Sequence, residues 1–203
     1  PTPAPADLPT FTISSDGEEI NGEYQIFSVT VNKAVNRIPT AMLVLADGDA
    51  SQSDFTISNS DDFIPGKEIE ILAGYHNDES TVFKGVIIRH GIKVRKNKPS
   101  LLMVECKDAA VKMTIARKST YYKDASDGEV MEEIIGEYGL EAEVESTQAQ
   151  HAEMVKYYST DWDFIVSRAE SNGKLLIVDD GKVAVKAPDT GQEPILALIY
   201  GST

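Results

Sequence analysis

A chain of 203 residues with 41% apolar and 26% charged side chains has room for one large domain or two small ones, and it can bury a core without covalent staples. Its formal net charge of −14 opposes binding to nucleic acid or an anionic membrane over most of the surface. Its single cysteine, Cys106, excludes an intramolecular disulfide and fits a reducing compartment, and no apolar run reaches the roughly 18 residues of a transmembrane helix.

The first segment, PTPAPADLPTF, has neither the basic start nor the apolar stretch of a secretory signal, so residues 1–9 read as an extended leader. Short runs rich in β-branched and aromatic residues follow at Phe11–Ile13, Glu23–Val31, Thr40–Leu45, Phe55–Ser58 and Glu68–Gly74, separated by turn signals such as SDGEE and DGDASQ. Val82–Val94 then faces Ser100–Asp108 across RKNKP, a hairpin turn with Pro99 at the strand start, where its missing N–H matters least. Roughly seven strands over residues 10–108 predict a small β-barrel or sandwich.

The period changes after that. Ser126–Gly139 predicts a helix: Ser126 and Glu129 form a capping box, Val130, Ile134 and Tyr138 share a face, and Gly139 stands at the C′ position. A short strand, LEAEVE, comes next. A second helix starts at Thr160 as N-cap, with Asp161 and Asp163 in its first turn and Trp162, Ile165, Val166 and Ala169 on one apolar stripe. Gly173 ends it, and KLLIVDDGKVAVKAP reads as a hairpin turning at Asp180-Gly181. Residues 109–190 are thus expected to form an α+β unit with Trp162, Ile165 and Val166 in its core. Residues 191–203 read as an apolar strand, completed by another subunit or leading toward a further barrel. The fold class is mainly β with α+β.

No catalytic constellation emerges, and no cofactor or metal is expected. Asp161 and Asp163 are two apart in a helix, so they do not face each other, and helix capping accounts for them. His76, His90 and His151 are scattered without ligand spacing, and Cys106 follows an apolar run as a packing residue does. Phosphate-binding glycine motifs and a nucleophile elbow are absent. One stretch departs from the acidic background: Lys84, Arg89, Lys93, Arg95, Lys96 and Lys98 lie between 84 and 98 with no acid among them. They read as the solvated face and tip of a hairpin or as a charged protein-contact surface, for which Arg89, Lys93, Arg95, Lys96 and Lys98 are the candidates. The exposed-tyrosine candidates Tyr121, Tyr122, Tyr157 and Tyr158 read as half-buried packing, with stacking on sugars as the alternative.

Thr160, Asp161, Trp162, Asp163, Phe164, Arg168, Glu170, Gly173 and Leu175, followed by a strand, a DDG turn and another strand, resemble the VgrG family of type VI secretion spikes. They equally resemble the hub proteins of contractile phage tails, including the late-control D group. Val82–Ile87 resembles that family's "F-x-G-x-I" strand. Glu105–Leu140 resembles the end of its first barrel, a linker and the next helix, in the family's order. The resemblance spans about residues 10–200.

It implies a tube-protein-like barrel over residues 10–108 with an inserted α+β domain, and a structural part rather than an enzyme. It also implies a homotrimer in the full-length protein that caps a hexameric tube protein, with baseplate and spike-tip components as further partners. Assembly would occur in the cytoplasm, followed by delivery out of the cell or into a virion, without nucleic acid binding or membrane insertion by this region. The family continues into a second barrel, an OB-like neck and a β-helical needle, whereas this sequence stops at Thr203. The other classes to weigh are a carbohydrate- or receptor-binding module and a cell-wall hydrolase carried on a tail particle.

Overall fold

The computed structural model describes residues 9–48, 54–76, 78–95 and 99–191. The expected leader apart from Pro9, the final strand apart from Gly191, and Lys96 and Lys98 lie outside the described residues.

The β-rich half forms one antiparallel sheet from β1 (Pro9–Ser15), β2 (Glu18–Glu19), β3 (Ile26–Asn32), β4 (Thr40–Ala46), β5 (Glu68–Tyr75), β6 (Asp78–Lys93) and β7 (Leu101–Lys107). Their spatial order is β2-β1-β5-β6-β7-β4-β3. The long strand β6 organises it: its first half, Asp78–Val86, pairs with β5 and its second half, Val86–Lys93, with β7. That stagger is the shear a sheet needs in order to curl. Alternate residues point inward, so Ile13, Leu43, Leu45, Ile69, Ile71, Phe83, Ile87, Leu102, Val104 and Cys106 make one buried cluster. Gly85, the glycine of the VFKGVI strand, has a local cause: a Cβ there would stand 2.3 Å from the Lys107 carbonyl oxygen and 2.9 Å from the Phe83 ring.

One expected strand does not form. Phe55–Ser58 runs into a turn instead. The buried carboxylate of Asp47 accepts hydrogen bonds from the amides of Gly48, Ile57 and Ser58 at 2.8, 3.1 and 2.8 Å, which ties the segment back on itself. The local hydrogen bonds of an aspartate outweigh the β-propensity of four residues.

The second half begins with a 3-10 turn (Ala109–Thr114) and continues as β8 (Arg117–Ser126), α1 (Asp127–Glu137), β9 (Glu141–Val144), β10 (Gln150–Thr160), α2 (Asp161–Ser171), β11 (Leu175–Asp179) and β12 (Lys182–Lys186). Strands β8 and β10 form an antiparallel ribbon, while β11, β12 and β9 form a small sheet in which β12 and β9 run parallel. The capping box of α1 is present, with Glu129 Oε2 accepting the Ser126 amide at 2.8 Å. Thr160 caps α2 by accepting from the Asp163 amide at 3.0 Å. Gly139 and Gly173 follow the two helices at φ +70° and +64°, left-handed positions that favour glycine.

The two helices meet over Val130, Met131, Ile134, Ile135, Trp162, Ile165 and Ala169, all in one cluster with Leu176, Val183 and Val185 of the small sheet. Trp162 keeps 8% of its surface exposed, Ile165 is fully buried, and Val166 packs on the margin. Replacing Trp162 by alanine is expected to destabilise the second unit by about 3–5 kcal/mol through the cavity it leaves. Thermal or urea unfolding checks this, and an unchanged midpoint would contradict a core role.

Candidate protein-interaction site

Two charged assemblies hold the second unit in place. The first joins it to the sheet. Asp180 and Gly181 both have positive φ, +51° and +85°, the geometry of the tightest hairpin turn. That turn sits against the sheet: Asp180 Oδ1 accepts the Lys84 amide at 2.8 Å, and the Gly181 amide donates to Asp108 Oδ2 at 3.0 Å. Lys33 pairs with Asp179 and lies 3.6 Å from Asp180. A second tether adds Asn36, whose amide donates to the Leu176 carbonyl at 2.9 Å and whose Oδ1 accepts the Leu176 amide at 2.8 Å. Burial pushes the Asp108 carboxyl above its ordinary value, the Ala110 and Gly181 amides pull the other way, and nearby Asp180 and Asp179 add to the rise.

The second assembly is inside the unit. Asp161 is not a solvent-facing first-turn acid: it is fully buried, as is Lys156. Its carboxylate pairs with Lys156, accepts from the Tyr138 hydroxyl at 2.5 Å and lies 3.1 Å from Lys118. Burial opposes its ionisation, but the hydrogen bonds from Lys156, Tyr138 and Lys118 outweigh that and hold the carboxyl below its ordinary value. The Tyr138 hydroxyl is pushed up to about 12, by burial and by its bond to Asp161. One helix away, Asp127 receives Asn172 at 2.8 Å, pairs with Arg168 at 2.5 Å and lies 3.4 Å from His151. Burial works against its charge, and Arg168 and Asn172 lower its pKa overall. Asp161, Asp127, Arg168 and Trp162 are therefore bound into the packing of α1, α2 and β10.

The basic stretch is divided by its neighbours. Lys84 pairs with Glu68 at 3.1 Å and Arg89 with Glu105 at 2.7 Å, while Arg95 donates to the Pro99 carbonyl at 2.9 Å. Arg89 is 74% exposed, and Lys93 is exposed at the end of β6. Arg89, His90, Ile92, Met42, Met103 and Glu105 line a shallow hollow of about 370 Å³. Sequence reasoning missed this mixed lining because Met42 and Met103 come from two other strands. His90 is accounted for by Phe63, whose carbonyl lies 3.0 Å from Nδ1. Burial pushes the Cys106 thiol up to about 12, as expected of a packing residue.

The tyrosines depart from expectation. Tyr122 is buried, but Tyr121, Tyr157 and Tyr158 are 46%, 83% and 65% exposed. The ribbon register shifts between Lys156 and Ser159, and Tyr158 within that bulge has φ +41°. Among the described residues no group of His, Cys, Asp and Glu is placed to hold a metal ion, and no helix is long and apolar enough to cross a membrane.

Residues 5–203 match the family described as the Alg8 N-terminal domain. The chain belongs to that family. No curated protein sequence matches it. Among solved structures, the 43 kDa tail protein of prophage MuSo2 from Shewanella oneidensis superposes with a TM-score of 0.68 at 10% identity, over 88% of this chain and 53% of that one. A tail protein from Neisseria meningitidis gives 0.65 at 13% identity, over 92% and 53%. An Escherichia coli component of the type VI secretion system gives 0.64 at 11% identity, over 90% and 50%. The mainly β fold with its α+β unit is thus that of tail proteins, and this chain spans about half the length of those structures.

Removing one member of the buried pair leaves an uncompensated charge. Asp161→Ala is expected to cost about 3–5 kcal/mol, and Lys156→Met added to it should recover part of the loss. Chemical denaturation of the two variants checks this; a double variant no more stable than the single would contradict an ion pair at the centre of the cluster.

Proposed function

We propose that this chain is a structural component of a tail or injection apparatus, and more finely the first half of a hub that caps the inner tube of a contractile particle. The observation that carries the reading is architectural. A staggered antiparallel sheet leads directly into an α+β unit latched to its end, and that arrangement recurs in two tail proteins and a type VI secretion component. The motif of residues 160–175 supports it, because its members Asp161, Trp162 and Arg168 all build that unit's interior.

In this reading the full-length protein is a homotrimer that meets a hexameric tube protein and baseplate components. It assembles in the cytoplasm and leaves with the particle. The chain works by shape and edge matching rather than by catalysis. A hydrolase using Asp161 and Asp163 is disfavoured by geometry, since Asp161 is fully buried and already bonded to Lys156, Tyr138 and Lys118.

Arg89, Lys93 and Arg95 form the surface offered to an acidic neighbour, and Lys96 and Lys98 follow them in the sequence. Charge steers such docking and fixes its register. Reversing Lys93, Arg95 and Lys96 to glutamate is expected to reduce the yield of assembled particles while leaving the melting curve of the isolated chain unchanged. A normal particle yield would sink the interface. The exposed Tyr121, Tyr157 and Tyr158 favour one competing reading, a glycan-binding face. Specific hits on a glycan array, lost on substituting Tyr157, would bring that reading forward.

A further inference from the structure

A cleft of about 650 Å³ lies where the sheet meets α2. The β3–β4 connection and the end of β7 bring Val35, Arg37, Ile38 and Lys107 to one side, and α2 brings Trp162, Val166 and Glu170 to the other. Its floor is apolar: Ile38 and Val166 pack on the core cluster of the second unit, and Val35 stays 49% exposed in the same lining.

Three hydrogen-bond donors of this lining lack an acceptor. The Arg37 guanidinium and the Lys107 ammonium have no hydrogen-bond or ion-pair partner among the described residues. Lys33 and Lys84, at the same junction, are both paired with carboxylates. Lys107 is half-buried, where a counter-charge is worth more than in open water. The third donor is the indole N–H of Trp162. That side chain is only 8% exposed, yet its N–H meets no acceptor among the described residues, whereas a tryptophan so buried usually finds one. The N–H is not sealed in the interior either, and the surface that Trp162 lines is this cleft. Glu170 is the one acid in the lining, and the Asn36 side-chain amide donates to it at 3.3 Å. Two cations and one acid leave the lining net positive in a chain of net charge −14.

Unpaired donors around an apolar floor match a carboxylate beside a large apolar group. The guanidinium and ammonium take the carboxylate in charge-assisted hydrogen bonds, and the floor takes the apolar group. The cleft is open rather than enclosed, so it suits a chain laid across it better than a small molecule that must be surrounded. We propose that this cleft binds a peptide segment of a partner protein in which an aspartate or glutamate stands next to a large apolar residue. The proposal does not rest on the hub reading.

Trp162 is the single tryptophan, so its emission reports on the cleft alone. Selection of phage-displayed random dodecapeptides on the full chain should enrich an acidic residue beside leucine or phenylalanine. The selected peptide, made synthetically, should shift the Trp162 emission on titration. Arg37→Ala with Lys107→Gln should weaken its binding about tenfold or more and leave the melting curve unchanged. Arg37→Glu alone, at an exposed position, should weaken it as well and keeps the test decisive if the double variant fails to fold. No enrichment of acidic sequences, an unresponsive Trp162 emission, or equal affinity in the charge variants would overturn the proposal. Phenylacetate binding as tightly as the peptide would assign the cleft to a small carboxylate and overturn it too.

Discussion

Whatever the second unit presents is aimed by a single hairpin turn. Asp180 and Gly181 use the Lys84 amide and the Asp108 carboxylate as fixed points, and Lys33 adds charge at the same place. These bonds involve a strand interior, the residue after β7 and the residue after β3, so three parts of the sheet converge on one turn. A turn with two left-handed residues admits little variation in backbone shape. The two units are therefore tied by stiff, directional hydrogen bonds, with the Asn36–Leu176 pair as a second tether that resists rotation about the first. Under the proposed structural role, such a joint matters more than any one surface residue.

The interior of the second unit follows the same logic with charges. Asp161 and Asp127 each open a helix, and each gathers donors from elements far apart in sequence. Buried ions of this kind add little net stability over an apolar core, but they penalise every arrangement that separates them. The DWDF segment therefore joins two kinds of specification in four residues: Trp162 fills volume, and Asp161 fixes which neighbours surround it.

Much of this was legible beforehand, for definite reasons. Both helices had caps, stripes and closing glycines, and Asp180-Gly181 announced its turn. The alternating strands β4, β5 and β7 could be read because one face of each is buried. The ribbon β8–β10 could not. Its inward positions include Lys156, and its outward ones include Val155 and Tyr157, so the polarity pattern is reversed where the buried ion pair and the tyrosine bulge lie. Asp161 was read as a local cap because its partners Tyr138 and Lys156 come from other elements. Phe55–Ser58 was misread for a similar reason, since the residue that bends it, Asp47, lies before the segment. That β3 has one strand partner among the described residues follows only from the strand order.

The central claim is that this fold serves a three-fold hub, and absolute mass in solution tests it most directly. Light scattering should be run on this chain and on the longest natural form of the protein that contains it. The account predicts a trimer for the long form. A hexamer would make the protein a tube subunit, and a strict monomer in both forms would contradict the hub assignment.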